Sequence, residues 1–254
     1  MREIKRIISN DRMFYLAAIL LSCFWTLLRF KLNTEYSGAS LTSLMDGIAP
    51  QPFSYRILIP TLLSPLYLAG ISAKYCFMLS ETISFFALLS LIDFVVKSYS
   101  IITDIRWKTL IATFITSSSI FLLPSELPIY YPYDIPSAAF ILAGLYLILK
   151  KTNLAWICLL TFTATLNRES SILIVFFYAA TNVQQQSAKE YIRGLISLSL
   201  VFLFARELTH YIASGTDMVY GASMAFTDIE QLNWRVNKKL INFVIPNGSL
   251  PFLA

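Results

Sequence analysis

The residues best suited to chemistry in this chain are few and unevenly placed. Asn167, Arg168 and Glu169 interrupt an apolar run from Leu154 to Ala180. A charge left uncompensated at the centre of a bilayer costs about 2.5–3.5 kcal/mol on insertion scales. These side chains must therefore pair, face water, or sit where two short spans meet, and the plain alternative is a polar turn between helices. Arg206, Glu207 and His210 share a later apolar segment, with Arg206 and His210 on one helical face and Glu207 beside His210. A pairing of Arg206 with Glu207 or with a neighbouring helix is expected as readily as a catalytic use. Asp46, Arg56 and Asp134 fall in polar stretches rich in proline and tyrosine. Guanidinium groups bind phosphate bidentately, and a carboxylate beside them can act as general base on an acceptor hydroxyl. The single histidine lacks His-Glu-x-x-His spacing and makes no zinc site by itself.

The elements that must carry these groups are apolar helices. Hydrophobic residues make up 56% of the chain and charged residues 14%, against roughly 45–50% and 25% in an ordinary soluble domain. Several apolar segments approach the roughly 20 residues that a helix needs to cross a bilayer, and the alternating strands of an outer-membrane barrel are absent from the pattern. The expected fold is all-α, a polytopic transmembrane bundle of about 7 spans with a short surface helix in the first outer loop. The formal charge of +5 reports Lys and Arg that set orientation, and no basic face interleaved with aromatics suggests a nucleic-acid partner. Cys23, Cys76 and Cys158 lie inside apolar segments without metal-ligand spacing.

Arg2, Lys5, Arg6 and Arg12 precede an apolar run without a small-x-small cleavage site, which implies an uncleaved first span over about Met13–Phe30 and a cytoplasmic N-terminus. Lys31 to Tyr55 then reads as an outer loop. Ile57 to Val96 holds either two spans or one span preceded by a surface helix. One span, from about Ala69 to Val96, keeps Lys97, Arg106 and Lys108 inside, and Pro60 and Pro65 suit a short surface segment. Further spans are expected at about Trp107–Leu123, Ile135–Leu149, Asn153–Leu166, Ile172–Val183 and Gly194–Ala213. Of these, Asn153–Leu166 and Ile172–Val183 are short enough to form a tilted or partly re-entrant hairpin. The loop before Asp134 carries Tyr130, Tyr131 and Tyr133, which can anchor at the headgroup level or stack against a ring. Residues 1–213 thus form a transmembrane domain and 214–254 an extracytoplasmic tail. Gln184, Gln185, Gln186, Lys189 and Arg193 form an inner polar loop.

On this topology Asp46, Arg56, Asp134, Asn167, Arg168, Glu169, Arg206, Glu207 and His210 gather near the outer face, with few comparable groups expected inside. The stretches Phe53-Ser54-Tyr55-Arg56-Ile57-Leu58-Ile59-Pro60, Tyr131-Pro132-Tyr133-Asp134 and Asn167-Arg168-Glu169 look like the polar landmarks of bacterial membrane proteins of one general kind. Over about Met13–Ala213 the chain resembles the GT-C class of membrane glycosyltransferases, which use polyprenyl-phosphate-linked sugars. The resemblance implies a bacterial inner-membrane enzyme that moves the sugar to an envelope glycan or lipid acceptor. Asp46 would activate that acceptor, Arg56, Arg168 or Arg206 would hold the donor phosphate, and Asp134 and Glu169 would orient the sugar or an arginine. Tyr131, Tyr133, Asn167 and His210 complete the expected substrate surface. No cofactor is required, and a divalent metal is compatible with the carboxylates. The competing reading is a non-enzymatic lipid-linked-sugar transporter or accessory subunit, for which Lys74, Glu81 and Asp93 along the second span would line a path. An acyl- or phospho-group transferase using His210 with Glu207 ranks third.

Overall fold

The computed structural model describes residues 2–36, 38–99, 105–121, 129–183 and 187–213. The expected outer tail, 214–254, lies outside the described residues, as do 122–128 and the three glutamines. The fold is a helical bundle. Arg2–Leu32 forms α1, Leu41–Met45 α2, Leu58–Leu68 α3, Ala73–Tyr99 α4 and Ile105–Phe121 α5. Asp134–Leu149 forms α6, Leu154–Asn167 α7, Ile172–Asn182 α8 and Ala188–Ile212 α9. Among the described residues three helices are long and apolar enough to cross a membrane, over Asp11–Leu32, Ala73–Lys97 and Ala188–Ile212. At a rise of about 1.5 Å per residue each exceeds the roughly 30 Å of a hydrocarbon core. Their outward faces fit that solvent. Phe24, Leu200 and Phe204 are 53%, 60% and 64% exposed, an apolar surface that water would penalise and lipid would not.

The stretch from Ile57 to Val96 divides as one short helix and one long one, and the sequence shows why. Gly70 takes a left-handed backbone, φ +91°, and the amides of Gly70 and Ile71 close on the carbonyls of Tyr67 and Leu66. This glycine-dependent cap ends α3 before α4 begins. A second stop uses Arg168, whose extended backbone (φ −166°) ends α7 and leads into a 3-10 turn over Glu169–Ser171. Asn153 and Ser187 cap the N-termini of α7 and α9 by accepting from the amides of Ala155 and Glu190.

The long helix α4 packs against α1, α3, α5 and α6, and α6 joins this group to α7 and α8, on which α9 packs. Trp25 stacks on Phe85 at 4.3 Å within the α1–α4 seam. Small residues set the closest approaches in the second half. A Cβ on Gly194 would lie 2.0 Å from the Tyr178 hydroxyl, and one on Gly144 would lie 2.8 Å from Ile174. The loop after α1 has more structure than the expected coil. It contains α2 and a 3-10 turn at Phe53–Tyr55, and Thr34–Glu35 (β1) pairs in parallel with Ile129–Tyr130 (β2). That short ladder fastens the loop to the segment before α6.

Candidate functional site

The site is built where four helix ends and one loop meet. Arg29 closes α1, Asp134 opens α6, Asn167 and Arg168 end α7, Arg206 and His210 lie near the end of α9, and Tyr55 and Arg56 come from the loop. Asp134 is the hub. It accepts from Arg168 on one oxygen, and the Arg29 guanidinium lies 3.2 Å from the other. Arg29 also pairs with Glu81 of α4, donates to the Tyr131 carbonyl at 3.3 Å, and lies over the Tyr130 ring at 4.8 Å. The Tyr130 hydroxyl donates to Glu81 at 3.5 Å. Arg29 and Glu81 are 2% and 0% exposed, so this pair is fully enclosed, whereas Arg168 remains 37% exposed. Buried ions persist only when paired and hydrogen-bonded, and this chain of contacts meets that condition.

Glu169 turns the other way. Its carboxylate lies 3.7 Å from Arg206 and 3.6 Å from His210, so Arg206 pairs with Glu169 of the neighbouring turn rather than with Glu207. The imidazole of His210 stacks on Tyr55 at 4.0 Å, and the Tyr55 hydroxyl donates to Gln51 at 2.6 Å. Arg56 sits between these groups, its guanidinium 4.7 Å from the Tyr133 ring and 5.3 Å from the Phe53 ring. Desolvation pulls the Arg56 pKa down, opposed by Tyr133 and reinforced by Arg168. Burial raises the Tyr55 pKa, with Glu169 adding to the effect. Burial likewise holds the Tyr130 and Tyr133 phenols above their ordinary range, so both stay neutral hydrogen-bonding or apolar groups.

Asn167 is a structural member of the site. Fully buried, it donates to Ser137 at 2.9 Å and to the Tyr133 carbonyl at 3.3 Å, locking the end of α7 to the start of α6. Tyr131 stacks on Phe53, with centroids 6.1 Å apart. Asp46 stands apart from the arginines: it is exposed and accepts from the Tyr67 hydroxyl at 3.0 Å, and no ion pair includes it among the described residues. Among the described residues no group of three His, Cys, Asp or Glu is placed to hold a metal ion.

Two findings depart from expectation. Arg29 and Tyr130–Glu81 are central to the site, yet Arg29 lies within the expected first span, about Met13–Phe30, and is not among the expected site residues. Its partner is 52 residues away, so no local spacing announces the pair. The opposite end of the bundle, expected to be the inner one, is also well charged, contrary to the expectation of few groups there. Asp11, Asp93, Lys97 and Arg106 form a network at the opposite end, with Arg106 donating to Asp93 at 2.9 Å and to Asp11 at 2.6 Å.

Between the two ends, α3, α4 and α6 enclose an apolar cleft of about 510 Å³, lined by Leu63, Ile83, Leu91, Ala139 and Phe140. It reaches Pro136 and Ser80, next to Asp134 and Glu81. Comparison with known protein families, with curated proteins and with solved structures finds no match for this chain.

Proposed function

We propose that this is a bacterial inner-membrane glycosyltransferase that moves a sugar from a polyprenyl-phosphate donor to an envelope glycan or lipid acceptor at the outer face. The observation that carries the reading is the meeting of Arg56, Arg168 and Arg206 with Asp134 and Glu169 at one end of the bundle, beside a cleft that is apolar along its length. A lipid-phosphate donor has that same division, a chain for the cleft and an anion for the guanidinium groups. In this reading α1 and α4 to α9 run through the bundle in alternating direction, with α3 at the surface and the short α7 and α8 as a hairpin within it, so that their charged ends meet. A cytoplasmic N-terminus then sets the cluster outside.

In the proposed reaction the acceptor hydroxyl gives its proton to a carboxylate as its oxygen attacks the anomeric carbon. The bond from that carbon to the donor phosphate breaks, and the phosphate leaves with the electron pair, held by Arg168 with Arg56 or Arg206. Asp134, already engaged by two arginines, orients them. Asp46 and Glu169 are the carboxylates open enough to take the proton, Asp46 accepting from the Tyr67 hydroxyl and Glu169 held by Arg206 and His210 at longer range. The alternative of a lipid-linked-sugar transporter or accessory subunit requires polar groups through the depth of the bundle. The apolar cleft lining favours catalysis at one face.

The test is sugar transfer by the purified protein in lipid vesicles supplied with polyprenyl-phosphate sugars. Arg168→Ala should lower transfer by at least about a hundredfold, as expected for loss of a charge-stabilising donor, with Asp46→Asn or Glu169→Gln abolishing base catalysis. Transfer unaffected by any of these substitutions would remove the site.

A further inference from the structure

The end of the bundle opposite the arginine–carboxylate cluster contains a second, separate cavity. It has a volume of about 260 Å³ and lies where α6 ends, α7 begins, α8 ends and α9 begins. That it belongs to the far end follows from Tyr146 of α6, whose ring is 6.4 Å from Phe94 near the end of α4. Its polar lining comprises Lys151, Thr152, Tyr178, Asn182, Glu190 and Arg193, over an apolar floor that includes Ile157. Lys151 and Arg193 are exposed at its rim, and among the described residues neither is in an ion pair. Glu190 is already engaged: Ser187 donates to its carboxylate at 2.9 Å in the capping arrangement that starts α9.

Lys151 carries an independent sign that its side chain is wanted here. It stands just past the end of α6 with φ +52°, where Thr152 donates back to Leu147 and Lys151 to Ile148. This helix ending favours glycine strongly, because other L-residues strain in the left-handed region. A lysine in that place exchanges backbone ease for a cation aimed from the rim of a cavity.

We infer that this cavity binds the phosphate group of an anionic lipid in the leaflet at its own end of the bundle, with Lys151 and Arg193 as the cationic ligands, the Thr152 hydroxyl being committed to the Leu147 carbonyl at 3.0 Å. Its volume suits a headgroup rather than a whole lipid. Basic pockets between membrane helices recognise phosphate headgroups in this manner. The inference is independent of the reaction proposed for the other end.

Full-length protein in neutral-detergent micelles is titrated with phosphatidylglycerol, with phosphatidylcholine, and with inorganic phosphate, and bound species are counted by native mass spectrometry. Phosphatidylglycerol should bind the wild type in preference to phosphatidylcholine. Lys151→Gln with Arg193→Gln should weaken binding by roughly twenty-fivefold, two contacts at about fivefold each. Lys151→Gly gives a readout that a merely structural lysine would not: a higher unfolding temperature without lipid, together with weaker anion binding. Inorganic phosphate binding that depends on Lys151 and Arg193, without preference for the anionic lipid, would make the ligand a soluble phosphate and overturn the lipid assignment. Equal binding of phosphatidylglycerol to wild type and double variant would overturn the site altogether.

Discussion

Arg29 and Glu81 are enclosed to 2% and 0%, and their importance lies in what each would become alone. Removing one partner of a buried pair strands the other charge and typically costs about 3–5 kcal/mol, whereas replacing both with apolar side chains is often tolerated. Glu81→Gln should therefore destabilise the protein by about 3–5 kcal/mol and loosen Arg29 from Asp134. Arg29→Met combined with Glu81→Met should recover most of that loss. Thermal unfolding of the wild type, Arg29→Met, Glu81→Met and the double methionine variant in one detergent measures the coupling, and additive effects of the two methionines would mean that the pair is not a unit. Glu81 was legible as an expensive residue inside a span, but its meaning was not. Asn167, Arg168 and Glu169 were legible as a break in an apolar run, and they divide their labour: Asn167 fastens α6, Arg168 meets Asp134, and Glu169 faces α9. That division depends on an extended backbone at Arg168, which composition and spacing do not encode.

At the scale of elements, helix positions were easier to read than helix ends. Long apolar stretches, free of proline and broken by glycine only at Gly194, gave α1, α4 and α9 nearly where hydropathy places them, because burial of backbone groups in a bilayer leaves a helix as the only open structure. The left-handed turn at Gly70 that parts α3 from α4 follows from a residue type. The β1–β2 ladder does not, since its strands are two residues long and about a hundred residues apart. Close approach of α8 and α9 depends on Gly194, where any added carbon meets the Tyr178 ring. Small residues permit such contacts between membrane helices. Gly194→Val should cost about 1–3 kcal/mol by overpacking, and Tyr178→Leu in the same chain should relieve part of it. A double-variant melting temperature no higher than that of Gly194→Val alone would show that the strain lies elsewhere.

For the whole molecule, the decisive arrangement is two charged ends separated by an apolar middle. Arg29, Asp134, Arg168 and Glu169 gather at one end, and Asp11, Asp93, Lys97 and Arg106 gather at the other. This predicts a labelling pattern. In a chain with Cys23, Cys76 and Cys158 replaced, Asp46→Cys and Glu169→Cys should react with a membrane-impermeant thiol reagent from the same side. Lys151→Cys should react only from the other. Reaction of 46 and 169 from opposite sides would exclude a single outer site. The far-end network escaped the sequence reading because its members come from α1, α4 and α5, and charges flanking spans look alike whether they pair or simply meet water.

The Arg29–Glu81 contact also has a consequence for how the chain is made. When α1 enters the membrane, the carboxylate that will neutralise its terminal guanidinium lies 52 residues behind it. At roughly 5–20 residues per second, synthesis leaves that interval open for roughly 3–10 s. During it Arg29 can reach the headgroups from its place near the helix end, and it must be drawn inward as α4 arrives. Asp134 lies later still in the chain, so the arginine is captured in two stages. Biogenesis of the bundle therefore has an electrostatic order, with α1 unable to settle to its final depth until α4 stands beside it.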